Sequence, residues 1–253
     1  MSEENKITRE QYRKRKKRKR LRPWAFWTLT FIFIITITTS AISLIDWEKD
    51  NQKIDKLNEE IEELVELKPI DEEGELVNPP EDVKSDYWYF VEQPFYDIDF
   101  TPLQLKNDDT IAFIHMQNTN INYPIVQTTN NEYYLTHAFD KTVFGSLKNA
   151  LTKEWQANKE NYIIWISTPN ENMVYQIFSI YTTQSESYYI QTDFETTEEK
   201  QKWIDTMKSR NITTEDTIVT PTDKILTLST CLNNDGGRIV VQAKLIKIQK
   251  RQL

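Results

Sequence analysis

A single cysteine, Cys231, among 253 residues rules out a disulfide within the chain, so the fold rests on its core. Only two histidines, His115 and His137, accompany it, and a structural zinc site of Cys/His type therefore lacks ligands. No cluster of residues requires a metal, and no cofactor is expected. Internal repeats are absent, as is the alternation of strands and helices that marks a parallel α/β sheet.

Charge is missing from one stretch. The 22 residues from Trp24 to Ile45 carry none, a length that spans a bilayer core of about 30 Å as a helix. A signal peptide is the competing reading. The segment is longer than a usual apolar signal core, and no small-x-small cleavage site precedes Asp46. Residues 1–23 hold eleven Lys and Arg against Glu3, Glu4 and Glu10, a net of +8. The whole chain is −8, which leaves −16 on the remaining 230 residues. That balance argues against nucleic-acid binding by the folded part, because an acidic surface repels phosphates. The basic block reads first as a topology signal and a match for anionic lipid, with a nucleic-acid-binding arm as the minor alternative. Trp24, Trp27 and Trp47 stand where interfacial aromatics belong. The expectation is a single-pass type II protein of the plasma membrane, with a cytoplasmic N-terminus and everything after Asp46 outside.

Beyond the apolar segment, residues 48–67 place Ile54, Leu57, Ile61 and Leu64 at the spacing of an amphipathic helix, either a stalk or a stripe that packs on the domain behind it. Lys68-Pro69 ends it, and residues 69–86 read as a linker. The domain plan is a basic tail over 1–23, a membrane helix over 24–45, a helix and linker over 46–85, and a folded domain over 86–253. Within that domain Ile111–Met116, Ile121–Gln127, Tyr162–Ser167, Val174–Thr182 and Thr217–Thr220 read as strands. Phe144–Trp155 shows helical spacing. A second helix is expected over 197–210, with Thr196 and Glu199 in capping-box register and Trp203 and Met207 on one face. Many short strands and few helices predict a mostly β (α+β) barrel or sandwich.

The most informative stretch is KILTLSTCLNNDGGRIVVQAKL, residues 224–245. Cys231 closes one strand-like run, an Asn/Asp/Gly turn follows, and Arg238 opens the next run. Two strands joined by so short a loop bring a thiol and a guanidinium side by side. A cation lowers a thiol's pKa and can hold a developing oxyanion. The plain alternative is a small buried Cys231 and a solvated Arg238.

These residues resemble a known family. TLSTC at Thr227–Cys231, with Arg238 at the head of a hydrophobic strand, resembles the signature of the sortases, the membrane-anchored cysteine transpeptidases of Gram-positive bacteria. NINYPIVQ at 120–127, NNEYYLTHAF at 130–139, FGSLKNAL at 144–151 and YQIFSIY at 175–181 are similar to class B segments, in the same order. The resemblance covers about residues 86–248. It implies a closed eight-stranded β-barrel with short peripheral helices and a two-step acyl transfer. The Cys231 thiolate attacks the Thr carbonyl of a C-terminal sorting signal on a surface or pilin protein. The thioester then passes to an amine of cell-wall precursor or a pilin lysine. Arg238 is expected to bind the substrate carbonyl and oxyanion, and Thr230 to add its backbone or hydroxyl to the substrate-binding site.

The family's histidine, in a Tyr-Gly-His type motif, stands between the segments that match YYLTHAF and FGSLKNAL. Here only Asp140–Val143 separates them, so the strand, loop and motif between them are missing. His115 lies in a strand position that has no role in the family, and alternation makes it a surface or edge side chain. His137 is either an ordinary polar residue of the YYLxH segment or a stand-in for the missing acid. Three readings stay open: a transpeptidase with Cys231, Arg238 and His137; a degenerate, non-catalytic sortase-fold surface protein acting in binding or assembly; and a plain cysteine peptidase in which water resolves the intermediate.

Overall fold

A computed structural model describes residues 23–70, 73–82, 84–129, 145–232 and 236–251. The chain divides into two compact units, Met1–Lys53 and Ile54–Leu253. Helix α1 spans Pro23–Leu64, and its proline sits at the first helical position, where a missing N–H costs nothing. Trp24–Asp46 is 23 residues of it, apolar and long enough to cross a membrane, with its large apolar side chains exposed. The threonines in this span turn their hydroxyls back onto the helix: Thr28 donates to Ala25 O at 3.0 Å, Thr30 to Phe26 O at 2.9 Å and Thr36 to Phe33 O at 2.8 Å. Bonded in this way, a hydroxyl is tolerated in an apolar surrounding.

In the second unit the end of α1 packs on the domain. Ile61 and Val65 are buried against Ile98, Phe100, Leu103 and Phe113, whereas Leu64 of the expected stripe is exposed. Where the sequence suggests a linker, two short strands form. β1 (Lys68–Ile70) pairs with β3 (Phe95–Asp97), and β2 (Glu75–Leu76) pairs with Ile248 and Lys247 of the last strand. Gly74 allows that approach, because a Cβ there would lie 2.6 Å from the Phe95 ring and 3.0 Å from Ile248 O. Helices α2 (Tyr87–Val91) and α3 (Phe100–Lys106) flank β3.

Among the described residues the main sheet is antiparallel and has seven strands. β4 is Thr110–His115, β5 Asn122–Val126, β6 Ile163–Ser167, β7 Glu171–Gln184, β8 Ile225–Cys231 and β9 Gly237–Lys250. The order is β2-β9-β7-β6-β4-β5, and β8 pairs with the same edge of β9 as β2, farther along the strand. β7 and β9 run together for the length of the sheet, with register shifts at Val174/Tyr175 and Ile177/Ser179 that bend the pair. Every residue from 239 to 247 is buried. Both faces of β9 are covered, so its apolar residues do not alternate with exposed ones, and Gln242, Lys244 and Lys247 are buried among them.

One face bears the larger core, which includes Phe90, Ile114, Ile164, Ile177, Ile239 and Val241. The other is covered by helix α5 (Thr197–Arg210), through Trp203, Ile204 and Met207 against Phe178, Tyr181 and Val240. Each of those side chains contributes about 1.5–3 kcal/mol by leaving water. Thr196 caps α5, accepting from Glu199 N at 3.1 Å, and Glu199 returns a carboxylate oxygen to Glu195 N at 2.9 Å. The helix expected over 144–155 is divided into a 3-10 turn (Gly145–Leu151) and a short helix α4 (Lys153–Gln156). The break falls at Thr152, whose hydroxyl accepts from Trp155 N at 3.3 Å. Thr217–Thr220 is not a strand.

Candidate active site

Cys231 is the last residue of β8 and is exposed; Arg238 is the second residue of β9 and is half-buried. The two are register partners in the antiparallel pair. Leu232 N donates to Gly237 O at 2.8 Å, which makes Leu232 and Gly237 a hydrogen-bonded pair. Alternation then puts Cys231 and Arg238 in the closer, non-hydrogen-bonded set, with Cα atoms about 4.5 Å apart and both side chains on one face. Thr230 faces the other way, opposite the fully buried Ile239. Its backbone adjoins Cys231, while its hydroxyl and the thiol point to opposite faces.

The same period of two carries the Cys231 face back along β8 through Ser229, Thr227 and Ile225. These three form the floor of a cleft of about 360 Å³, and Ile190, Phe194 and Trp203 are among the residues opposite. Polar bonds hold the cover in place. Ser229 Oγ donates to the Tyr189 hydroxyl at 3.2 Å, Trp203 Nε1 to Tyr188 O at 2.8 Å, and Gln191 Nε2 to Glu199 Oε1 at 3.1 Å. The cleft is thus an open slot whose cover mixes Ile190, Phe194 and Trp203 with Gln191, Thr192 and Lys200, whose floor bears hydroxyls, and whose floor strand ends at the thiol. Such a shape suits an extended peptide, whose side chains fill the slot while its backbone lies along β8.

The histidines have different standings. His137 lies outside the described residues, as do Asp140–Val143. His115 belongs to β4, in a row that runs through Trp165 and Val174 to Lys247. Lys247 is nine residues along β9 from Arg238, about 30 Å at strand rise, so the structure does not bring His115 to the thiol. Expected as a surface or edge side chain, His115 is half-buried, between the rings of Tyr96 and Trp165, each 5.3 Å away. Burial pushes its pKa down.

No motif in the sequence announces this cleft. Its floor was available as alternation counted backwards from Cys231. Its cover comes from residues 188–203, and no local pattern says that they fold over β8.

Comparison with known proteins bears on what this arrangement does. The family model of the Sortase domain matches residues 102–246. Sortase B of Staphylococcus aureus is 29% identical over 185 residues, 59% of this chain and 75% of that protein. A Bacillus anthracis protein described as similar to sortase B superposes with a TM-score of 0.56 and 28% identity, over 81% of this chain and 98% of that one. The Staphylococcus aureus sortase B-substrate complex superposes with a TM-score of 0.52 and 29% identity, over 58% of this chain and 84% of that one.

Proposed function

This chain belongs to the sortase family, and on that premise we propose that it is a class B sortase acting on a C-terminal sorting signal through Cys231. The observation that carries the reading is the pairing of Cys231 with Arg238 at the open end of the cleft floor. In the first step the Cys231 thiolate attacks the carbonyl carbon at the scissile bond of a peptide lying in the cleft. Negative charge collects on the carbonyl oxygen, and the Arg238 guanidinium meets it there. The C–N bond breaks and the leaving amine takes a proton, for which His137 is the candidate donor. In the second step an amine of cell-wall precursor or a lysine attacks the thioester, and a C–N bond forms as the C–S bond breaks. The amine's proton returns to the group that protonated the leaving amine, and the thiolate leaves. The apolar helix Trp24–Asp46 serves as a single-pass anchor that leaves the β domain outside the cell.

The test is an acyl-enzyme assay on the full chain in detergent, with peptides that carry sorting signals. A mass increase equal to the N-terminal fragment is expected on the wild type and none on Cys231→Ala. A second arm adds glycine oligomers or diaminopimelic acid, and amide product is expected in place of free acid. An unmodified wild-type chain with every signal tried would leave the non-catalytic surface-protein reading standing.

A further inference from the structure

A carboxylate stands one strand away from the site. Cys231, Arg238 and Thr183 form a single row across β8, β9 and β7, because Arg238 is the register partner of both others. Directly opposed side chains share a face, with Cβ atoms about 5 Å apart. Thr183 Oγ1 donates to Glu186 Oε1 at 3.1 Å, which fixes that carboxylate over the threonine hydroxyl. Ser185 N donates to Gly236 O at 2.9 Å, so the turn that carries Glu186 is stitched to the loop between Cys231 and Arg238. An arginine side chain reaches farther than the separation of neighbouring strands. Arg238 therefore has two anionic attractors in range: the oxyanion that forms at Cys231, and Glu186.

Glu186 is already taken. Arg210, in the last turn of α5, pairs with Glu186 through Nη1, and its guanidinium lies over the rings of Tyr181 at 5.6 Å and Tyr188 at 5.8 Å. That stacking makes it a rigid partner, and the planar fork loses little freedom by holding on. The Arg238 guanidinium, by contrast, makes among the described residues a single hydrogen bond, from Nη1 to the neighbouring Gly237 O at 3.2 Å.

We propose that Arg210 is a positioning residue: it holds the Glu186 carboxylate and so leaves the Arg238 guanidinium free to serve Cys231. This rests on the acyl-transfer reading above for its purpose, though not for its test. With Arg210 removed, Glu186 captures Arg238 and draws it along the row away from the thiol. With Glu186 neutralised as well, nothing is left to capture it. A pair that merely braces the cleft cover behaves otherwise, since losing either partner, or both, then does equal harm.

The experiment uses the fact that Cys231 is the only cysteine, so alkylation by iodoacetamide reads this thiol alone in the full chain. A cation beside a cysteine generally speeds its alkylation. At neutral pH the rate in Arg210→Met is expected to fall about three- to fivefold, the upper end of the span of one exposed ion pair. Glu186→Gln stays within about twofold of wild type, and the double variant Glu186→Gln/Arg210→Met returns to about the wild-type rate. Arg210→Lys, which keeps the charge, keeps most of the rate. An unchanged rate in Arg210→Met, or a double variant as slow as the single, overturns the proposal; melting curves confirm that each variant is folded. The acyl-transfer reading fails separately, when the wild type alkylates normally and shows this pattern but forms no acyl-enzyme.

Discussion

The two ends of the β8–β9 ribbon invite comparison, because each presents a cationic side chain of β9 on the same face. At the open end Arg238 lies beside the exposed Cys231. Six residues on, Lys244 is buried, with its side chain 5% exposed and Asp223 fully enclosed at 3.9 Å. Lys244 Nζ also donates to Ile218 O at 2.7 Å and lies 5.6 Å from the Tyr87 ring. Asp223 in turn accepts from Thr220 N at 2.7 Å and from Asn78 Nδ2 at 2.8 Å. Burial lowers the pKa of Lys244, and the Asp223 charge works against that shift. A buried charge with its partners in place ties segments together, here 78, 218–223 and β9. An open guanidinium keeps capacity for a charge that arrives only during a reaction. The same residue chemistry is structural at one end and available for catalysis at the other, and solvent access makes the difference.

Substitutions at the two ends should therefore fail in different ways. The largest expected effect on stability is at the closed end. Lys244→Ala leaves Asp223 buried and unpaired and is expected to cost about 3–5 kcal/mol in chemical denaturation. Lys244→Met combined with Asp223→Asn should be milder, and a double variant as unstable as Lys244→Ala would count against an electrostatic cause. At the open end Arg238→Ala is expected to lower kcat/KM about 10²- to 10³-fold while moving unfolding by less than about 0.5 kcal/mol. A large loss of stability there would erase the contrast.

High pH sharpens the comparison further. Burial, opposed by a hydrogen bond to Val77 and aided by the Asp223 charge, raises the Tyr87 pKa from 10.0 to about 12. A group raised on folding stabilises the protein fully below its unfolded pKa, and that stabilisation disappears as pH climbs through the folded value. Lys244 has the opposite sign: its pKa is lowered on folding, so its contribution improves with pH over the window just below 10.5. Burial raises Tyr175 and Tyr181 to about 12 as well, so melting temperature is expected to drop between pH 10 and 12, and Tyr87→Phe should make that limb shallower by its share rather than abolish it. An identical limb in the variant would remove Tyr87 as a contributor. The smallest effect is expected at the cleft: Ser229→Ala removes the hydrogen bond to Tyr189 and should weaken peptide binding by about 0.5–1.5 kcal/mol, seen as a higher KM at unchanged kcat. A fall in kcat alone would place Ser229 elsewhere in the reaction.

Much of this contrast is legible in the sequence and much is not. Cys231 and Arg238 can be read as neighbours because a short turn between two apolar runs fixes their register. Helix α5 is legible over 197–210 because capping and periodicity agree. The reading of Val174–Thr182 as a strand falls short of β7, which starts at Glu171 and ends at Gln184. The missed ends are polar, and polar residues such as Asn172 are buried here because a partner answers them: Asn172 Nδ2 donates to Gln249 Oε1 at 2.9 Å. Thr217–Thr220 misleads for a related reason. Its buried Thr217 and Val219 alternate like a strand, but side chains satisfy its backbone, with Lys208 on Thr217 O at 3.0 Å and Lys244 on Ile218 O. No local pattern reveals a ladder replaced by distant lysines.

The short strand β2 carries a consequence for solubility. It occupies the edge of β9 beyond the reach of β8, where Val77 N donates to Ile246 O at 2.9 Å and Glu75 and Leu76 pair with Ile248 and Lys247. A bare strand edge recruits strands from other molecules. Residues 74–77 act as a built-in splint that closes that edge to strangers. A fragment that begins after them would expose backbone donors and acceptors beside one of the most apolar strands of the protein, and self-association would follow with every catalytic residue still in place.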